Sequence, residues 1–125
     1  MNKKTQMPLY DFKKHAQSGK FLELHCKDIL IFEGILSLYD EKIRNLFDLK
    51  LFILCDSDVA LARRILRDIR DRGRDVNEVL TRYNKFIKKD YEKYVKPQMK
   101  YADLIIPGGA SNDLAKNIIS YHLLD

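Results

Sequence analysis

Residues 63–75 read Arg-Arg-Ile-Leu-Arg-Asp-Ile-Arg-Asp-Arg-Gly-Arg-Asp and hold six arginines and three aspartates. A run that uses arginine rather than lysine suits phosphate. The planar guanidinium presents paired donors that match phosphate oxygens. Arg72-Gly73-Arg74 reads as a turn whose backbone can come close to a ligand. The competing reading is a solvated helix face with the intrahelical pairs Arg64–Asp68 and Arg67–Asp71. Glu33 follows an apolar run and precedes Gly34, which would place a carboxylate at the end of a strand, where it can hold Mg²⁺ directly or through water. Tyr10, Asp11, Phe12 and His15 could build a base-binding pocket from rings and an imidazole. The alternative is a mobile N-terminal arm with incidental aromatics. Asp56 and Asp58 form another strand-end pair, with Asp58 better read as the cap of the arginine helix.

These residues need elements to position them. Asp28–Gly34 is a continuous apolar run, the pattern of a strand buried on both faces. Phe21–His25 could be a short strand, and residues 1–20 look polar and turn-prone. Asp40–Phe47 reads as a short helix. Leu49–Cys55 is a second buried strand. The arginine helix follows from Asp58, with Val59, Ala62, Ile65, Leu66 and Ile69 turned inward. Asp75–Lys96 has close helical spacing, an Asp75/Glu78 capping box, and Pro97 as its stop. Tyr83, Tyr91 and Tyr94 sit at core spacing. Ala102–Ile106 is a third apolar strand, ended by Pro107-Gly108-Gly109. Ser111 or Asn112 caps a last helix. Strands alternating with helices define an α/β class with a parallel sheet, which binds ligands beyond the carboxyl ends of its strands.

With 125 residues, 46% hydrophobic and 33% charged, the chain reads as a single soluble domain. A net charge of +5 fits a phosphate-bearing partner. No secretion signal or membrane-length apolar run stands out, so the expected compartment is the cytoplasm, with Cys26 and Cys55 reduced. A nucleic-acid partner is disfavoured, because the aromatics do not interleave with the basic residues. Ser18-Gly19-Lys20 imitates the end of a phosphate-binding P-loop. The full pattern would need glycine at Lys14 and a hydroxyl at Phe21, and no other window fits.

Taken in order, several segments resemble the uridine–cytidine kinase family of P-loop nucleoside kinases. They are Pro8-Leu9-Tyr10-Asp11-Phe12 with His15, then Asp28-Ile29-Leu30-Ile31-Phe32-Glu33-Gly34-Ile35-Leu36. Arg44 to Phe52, the arginine run, and Lys100 to Pro107 complete the match. The resemblance implies transfer of the ATP γ-phosphoryl group to the 5′-hydroxyl of uridine or cytidine, in pyrimidine salvage. It also implies roles. Tyr10 and His15 would recognise the pyrimidine, and Phe12 would pack against it. Glu33 would help hold Mg²⁺. Arg64 and Arg74 would sit at the nucleoside, and Arg67 and Arg72 would be lid arginines for the ATP phosphates. Arg82 stands near the nucleoside where the family usually has glutamine, and Gly108 replaces an arginine.

The family's P-loop, general base and ribose-binding acid match nothing here. The resemblance therefore implies a partial P-loop-kinase sheet with flanking helices and an arginine-rich lid, its N-terminal P-loop half absent. The expected layout of the single partial domain is a nucleoside-site arm (1–27), core strands (28–57), lid helices (58–97), and a C-terminal strand and helix (98–125). Such a chain would be inactive alone. It would form homo-oligomers or take the missing half from another chain. The alternative is a non-catalytic, nucleotide-binding or regulatory remnant of the kinase fold.

Overall fold

The computed structural model describes residues 4–11, 16–25 and 27–124. They fall into two compact units, one ending at Phe32 and the other starting at Glu33.

The first unit is a hairpin of β1 (Lys4–Asp11) and β2 (Ala16–His25), paired antiparallel. This corrects the reading of residues 1–20 as turn-prone over 4–11 and 16–20, and Phe21–His25 is a strand as expected. Cross-strand pairs supply the reason: Met7 faces Leu22, Pro8 faces Phe21, and Lys4 meets Glu23 at 2.9 Å. Pro8 is tolerated because each strand of a two-stranded ladder has an outer edge. The register breaks between Pro8 and Tyr10, opposite Ser18-Gly19-Lys20. Gly19 takes φ 75° there, and the Lys20 N–H donates to Ser18 Oγ at 3.2 Å. The P-loop look-alike is thus an irregularity in a strand.

Asp28–Gly34 is not a strand. A strand exists through its ladder, and among the described residues none pairs with this run. Leu30 and Ile31 are 81% and 82% exposed.

The second unit carries a small parallel sheet. β3 (Leu51–Ile53) pairs with β4 (Leu104–Ile106), Phe52 opposite Ile105. The pairing is extended at both ends. The Asp103 N–H donates to the Lys50 carbonyl at 2.8 Å, and the Leu54 N–H to the Ile106 carbonyl at 2.8 Å. Phe52 and Ile106 are buried, one on each face of the ladder, while Ile53, Leu104 and Ile105 are about half exposed, so neither face is fully covered.

Helical stretches join and flank these strands. Helix α1 is short (Glu41–Arg44), and the Asp40 carboxylate caps it by accepting from the Lys42 and Ile43 N–H groups. Helix α2 (Ser57–Arg72) starts one residue before the expected Asp58. Asp56 is its N-cap residue, and Asp58 instead accepts from the Val59 N–H at 2.8 Å. Its expected apolar face is largely open, with Leu66 69% exposed, while Asp68 is buried. Gly73 ends α2 at φ 63°, a left-handed turn that favours glycine. Helix α3 (Val76–Arg82) follows, capped by Asp75, which accepts from the Asn77 N–H at 2.6 Å. Glu78 does not complete a capping box, because Arg82 draws its carboxylate to 3.4 Å. The helical path continues through a π turn at Tyr83–Ile87, α4 (Lys88–Asp90), a second π turn at Tyr91–Val95, and a 3₁₀ segment at Lys96–Tyr101. Pro97 therefore changes the helix type rather than stopping it.

After β4, the Pro107–Gly109 turn leads to α5 (Asp113–Leu124), capped by Asn112, whose Oδ1 accepts from the Ala115 N–H at 3.0 Å. Among the described residues no helix is long and apolar enough to cross a membrane.

Candidate functional site

A cavity of about 680 Å³ opens beyond the carboxyl end of β3. Its β3 side carries Ile53 and Cys55, and the first turns of α2 add Ser57 and Ala60. One wall is cationic, made by Arg63, Arg64 and Arg67 at successive turns of α2, with Lys88 opposite and Glu92 as an acid in the lining. The other wall is aromatic and aliphatic: Tyr83, Ile87 and Tyr91, each four residues from the next. Tyr83 and Tyr91 open the two π turns, and such irregular turns often mark functional positions. The three residues share a face, so the tyrosines read as core line a cavity instead. Arg64 is half-buried, and its guanidinium is pushed below its ordinary value by burial first and by Arg67 next. It remains charged.

Gly109 lies beside two of the lining residues, Arg63 and Cys55. Its N–H donates to the Leu54 carbonyl at 3.0 Å, and its φ is 60°. A Cβ at that position would lie 3.5 Å from Arg63 Nη1 and 3.9 Å from Cys55 Cβ. Arg63 Nη1 itself lies 3.9 Å from Cys55 Sγ.

The remaining arginines of the run gather on one carboxylate. Asp68 is 1% exposed. Arg67 donates Nε and Nη2 to Asp68 Oδ1 at 2.9 and 2.8 Å. Arg72 Nη1 lies 3.2 Å from the same oxygen, and Arg74 Nη1 donates to Oδ2 at 3.5 Å. Burial raises the Asp68 pKa, but the Arg67 hydrogen bond and the charges of Arg67, Arg72 and Arg74 outweigh it and hold the carboxyl below its ordinary range. This corrects the expected pairs Arg64–Asp68 and Arg67–Asp71. Asp71 instead takes Arg70, at 2.8 Å on the exposed side. The left-handed turn at Gly73 brings Arg74 back to Asp68. Asp68 and Arg63 are the residues missed from sequence. The four-residue step from Asp68 to Arg72 was the signal available.

Arg64 and Arg67 thus share a cavity wall, and Arg67, Arg72 and Arg74 share an anion. Arg82, on α3, pairs with Glu78. Tyr10 lies on β1, about half exposed, in the first unit. Phe12 and His15 lie outside the described residues. Glu33 is exposed at the start of the second unit. Among the described residues, no cluster of three His, Cys, Asp or Glu side chains could hold a metal ion.

The architecture is a mixed α/β protein with a small parallel sheet, whose crossover carries clustered arginines next to a cavity. The family model "Phosphoribulokinase / Uridine kinase family" matches residues 1–115. The chain belongs to that family. It is 46% identical over 123 residues to "Uridine-cytidine kinase 2-B" of Danio rerio, covering 98% of this chain and 47% of the relative. It is 48% identical over 119 residues to "Uridine/cytidine kinase UKL1, chloroplastic" of Arabidopsis thaliana, covering 94% of this chain and 24% of that protein. "Uridine kinase-like protein 5" of Arabidopsis is 44% identical over 119 residues, or 26% of its length. The chain thus spans half or less of the curated relatives it matches.

Proposed function

We propose that this chain forms the arginine lid and part of the nucleoside site of a uridine–cytidine kinase, which moves the γ-phosphoryl group of ATP to the 5′-hydroxyl of uridine or cytidine. The observation that carries the reading is the cationic wall of Arg63, Arg64 and Arg67, which lines one cavity together with Lys88, Tyr83 and Tyr91. Phosphoryl transfer depends mainly on positioning and on neutralising charge at the transferring group. Guanidinium groups that close over the phosphates supply both and exclude water. Arg67 and Arg72 take that role. Arg64 and Arg74 face the nucleoside, with Arg82 beside it. Tyr10, Phe12 and His15 receive the pyrimidine.

Mg²⁺ bound with ATP would add charge neutralisation at the phosphates. Glu33 fits as one oxygen ligand of an ion otherwise held by phosphates and water, the usual manner for Mg²⁺. It does not make a metal site by itself, since no second acid joins it in a cluster among the described residues.

The 125 residues contain no P-loop pattern, so the test supplies one. The chain is fused behind the preceding segment of the Danio rerio relative and assayed with ATP and uridine or cytidine. Phosphorylation of either nucleoside is the expected result. A folded fusion that binds ATP yet transfers nothing would favour the alternative, a nucleotide-binding or regulatory remnant.

A further inference from the structure

We infer that Asp68 is a positioning residue, which holds Arg67, Arg72 and Arg74 as one preassembled cationic cluster for a polyphosphate. The inference rests on the kinase reading above and goes beyond it by naming what organises the arginines. Three guanidinium groups converge on the two oxygens of this carboxylate, at 2.8 to 3.5 Å. Asp68 is almost fully buried while Arg67 and Arg72 remain about 40% exposed, so the anion lies beneath and the donors lie outside. The backbone of the same residue closes the helix. Its carbonyl accepts the N–H of Gly73 and, at 3.1 Å, that of Arg74. One residue therefore fixes both the turn that carries Arg72 and Arg74 and the directions of their side chains.

Each arginine has five N–H donors, and Asp68 engages one or two of them on each partner. Arg74 Nε also faces Glu78 at 3.9 Å, the other donors are open to phosphate oxygens, and three guanidinium groups stand against two carboxylates. Without the anchor, three long side chains that repel one another would spread into solvent. Binding would then bear the entropy of ordering them.

The two possible roles of Asp68 predict opposite signs. As a mere counter-charge, its removal adds positive charge and tightens anion binding. As an organiser, its removal weakens binding despite the added charge. The experiment titrates inorganic tripolyphosphate into the full 125-residue chain and into Asp68→Asn, Asp71→Asn, Arg67→Ala and Arg72→Ala variants. Asp71→Asn removes the same charge nearby from a residue whose partner is Arg70. Expected are weaker binding by Arg67→Ala and Arg72→Ala, unchanged or tighter binding by Asp71→Asn, and roughly tenfold weaker binding by Asp68→Asn, the scale of one charge-assisted hydrogen bond. Equal or tighter binding by Asp68→Asn, with weaker binding by the arginine variants, overturns the inference and leaves the phosphate role intact. Arginine variants that bind like the unsubstituted chain, or a chain that binds no tripolyphosphate, overturn the phosphate role and the inference with it. If Asp68→Asn loses its helical circular dichroism, Asp68→Glu carries the test by keeping the charge and moving the carboxylate. Weaker binding supports positioning, and unchanged binding overturns it.

Discussion

The side-chain oxygen of Gln98 accepts the buried N–H of Leu38 at 3.0 Å, across 60 residues of sequence. The amide nitrogen of Gln98 donates to the carbonyls of Ile35 and Tyr94 at 2.9 and 2.8 Å. A 3%-exposed side chain thus ties the loop after Glu33 to the 3₁₀ segment. Replacing it with alanine strands a buried donor and two carbonyls. Gln98→Ala is expected to cost about 1–3 kcal/mol, read from urea denaturation. A loss within error would mean that water replaces the amide without penalty.

Acid should loosen the arginine turn. The folded-state pKa of Asp68 lies below its ordinary value of 3.8. Its contribution to stability is therefore complete above 3.8 and disappears as pH falls through the lower folded value. Asp103, on Lys50, shifts in the same direction, so acid sensitivity of the whole chain is not specific. The specific expectation is a difference: Asp68→Asn flattens the decline of stability below pH 4, and Asp103 keeps part of it. Identical pH profiles for the two proteins would remove Asp68 from the account.

In the fusion assay, the arginines should separate by kinetic constant. Arg67→Ala and Arg72→Ala are expected to lower kcat by about tenfold or more, because their interactions strengthen as charge moves in the transition state. Arg64→Ala is expected mainly to raise KM for the nucleoside. The 125-residue chain assayed alone should stay far below the enzyme median of roughly 10 s⁻¹. Unchanged constants for all three variants would show that the lid assignment is wrong.

Hydrogen exchange should rank the elements. The hairpin is exposed on both faces along nearly its whole length, and an isolated two-stranded hairpin is marginal in water. Its amides are expected to exchange faster than those of α2 but slower than an unstructured arm. Protection in β1 equal to that in α2 would reveal a cover over the hairpin.

The run around Leu30 and Ile31 should drive association. Its neighbours Phe32, Ile35 and Leu36 are also exposed, and apolar surface of this extent promotes contact between chains. Light scattering over a dilution series is expected to show concentration-dependent mass, reduced in a Leu30→Lys, Ile31→Lys double variant. A strict monomer at every concentration would contradict this.

The long helical path after Asp75 was legible because Val79, Leu80, Tyr83 and Ile87 repeat at helical spacing and Asp75 is a good cap. The apolar runs of β3 and β4 were legible too, since short runs between turn residues suit a parallel sheet. Asp28–Gly34 has the same composition and is not a strand. Composition reports that a segment can pair, but the pairing needs a neighbour. Phe21–His25 was legible as a strand, but the rest of the hairpin escaped notice because Ser18, Gly19 and Pro8 break the alternation that marks a strand. At the candidate site, the arginines announced phosphate, but their arrangement was hidden. Helical spacing offers Asp68 both Arg64 and Arg72, of which only Arg72 pairs with it, and only the left-handed turn at Gly73 delivers Arg74 to the same carboxylate.

The pairing of Leu51 with Leu104 gives the chain a particular order of assembly. Every residue of α2, α3 and the π turns lies between those two strands, so the arginine segment is itself the loop that the ladder closes. Loop closure grows only slowly with length, by about 0.6 kcal/mol per doubling, but it must precede any gain from the strands. Helices that form within microseconds shorten that search, while pairings distant in sequence come late. Docking of β4 on β3 is then expected late, after the helix that carries Arg63, Arg64 and Arg67 has formed.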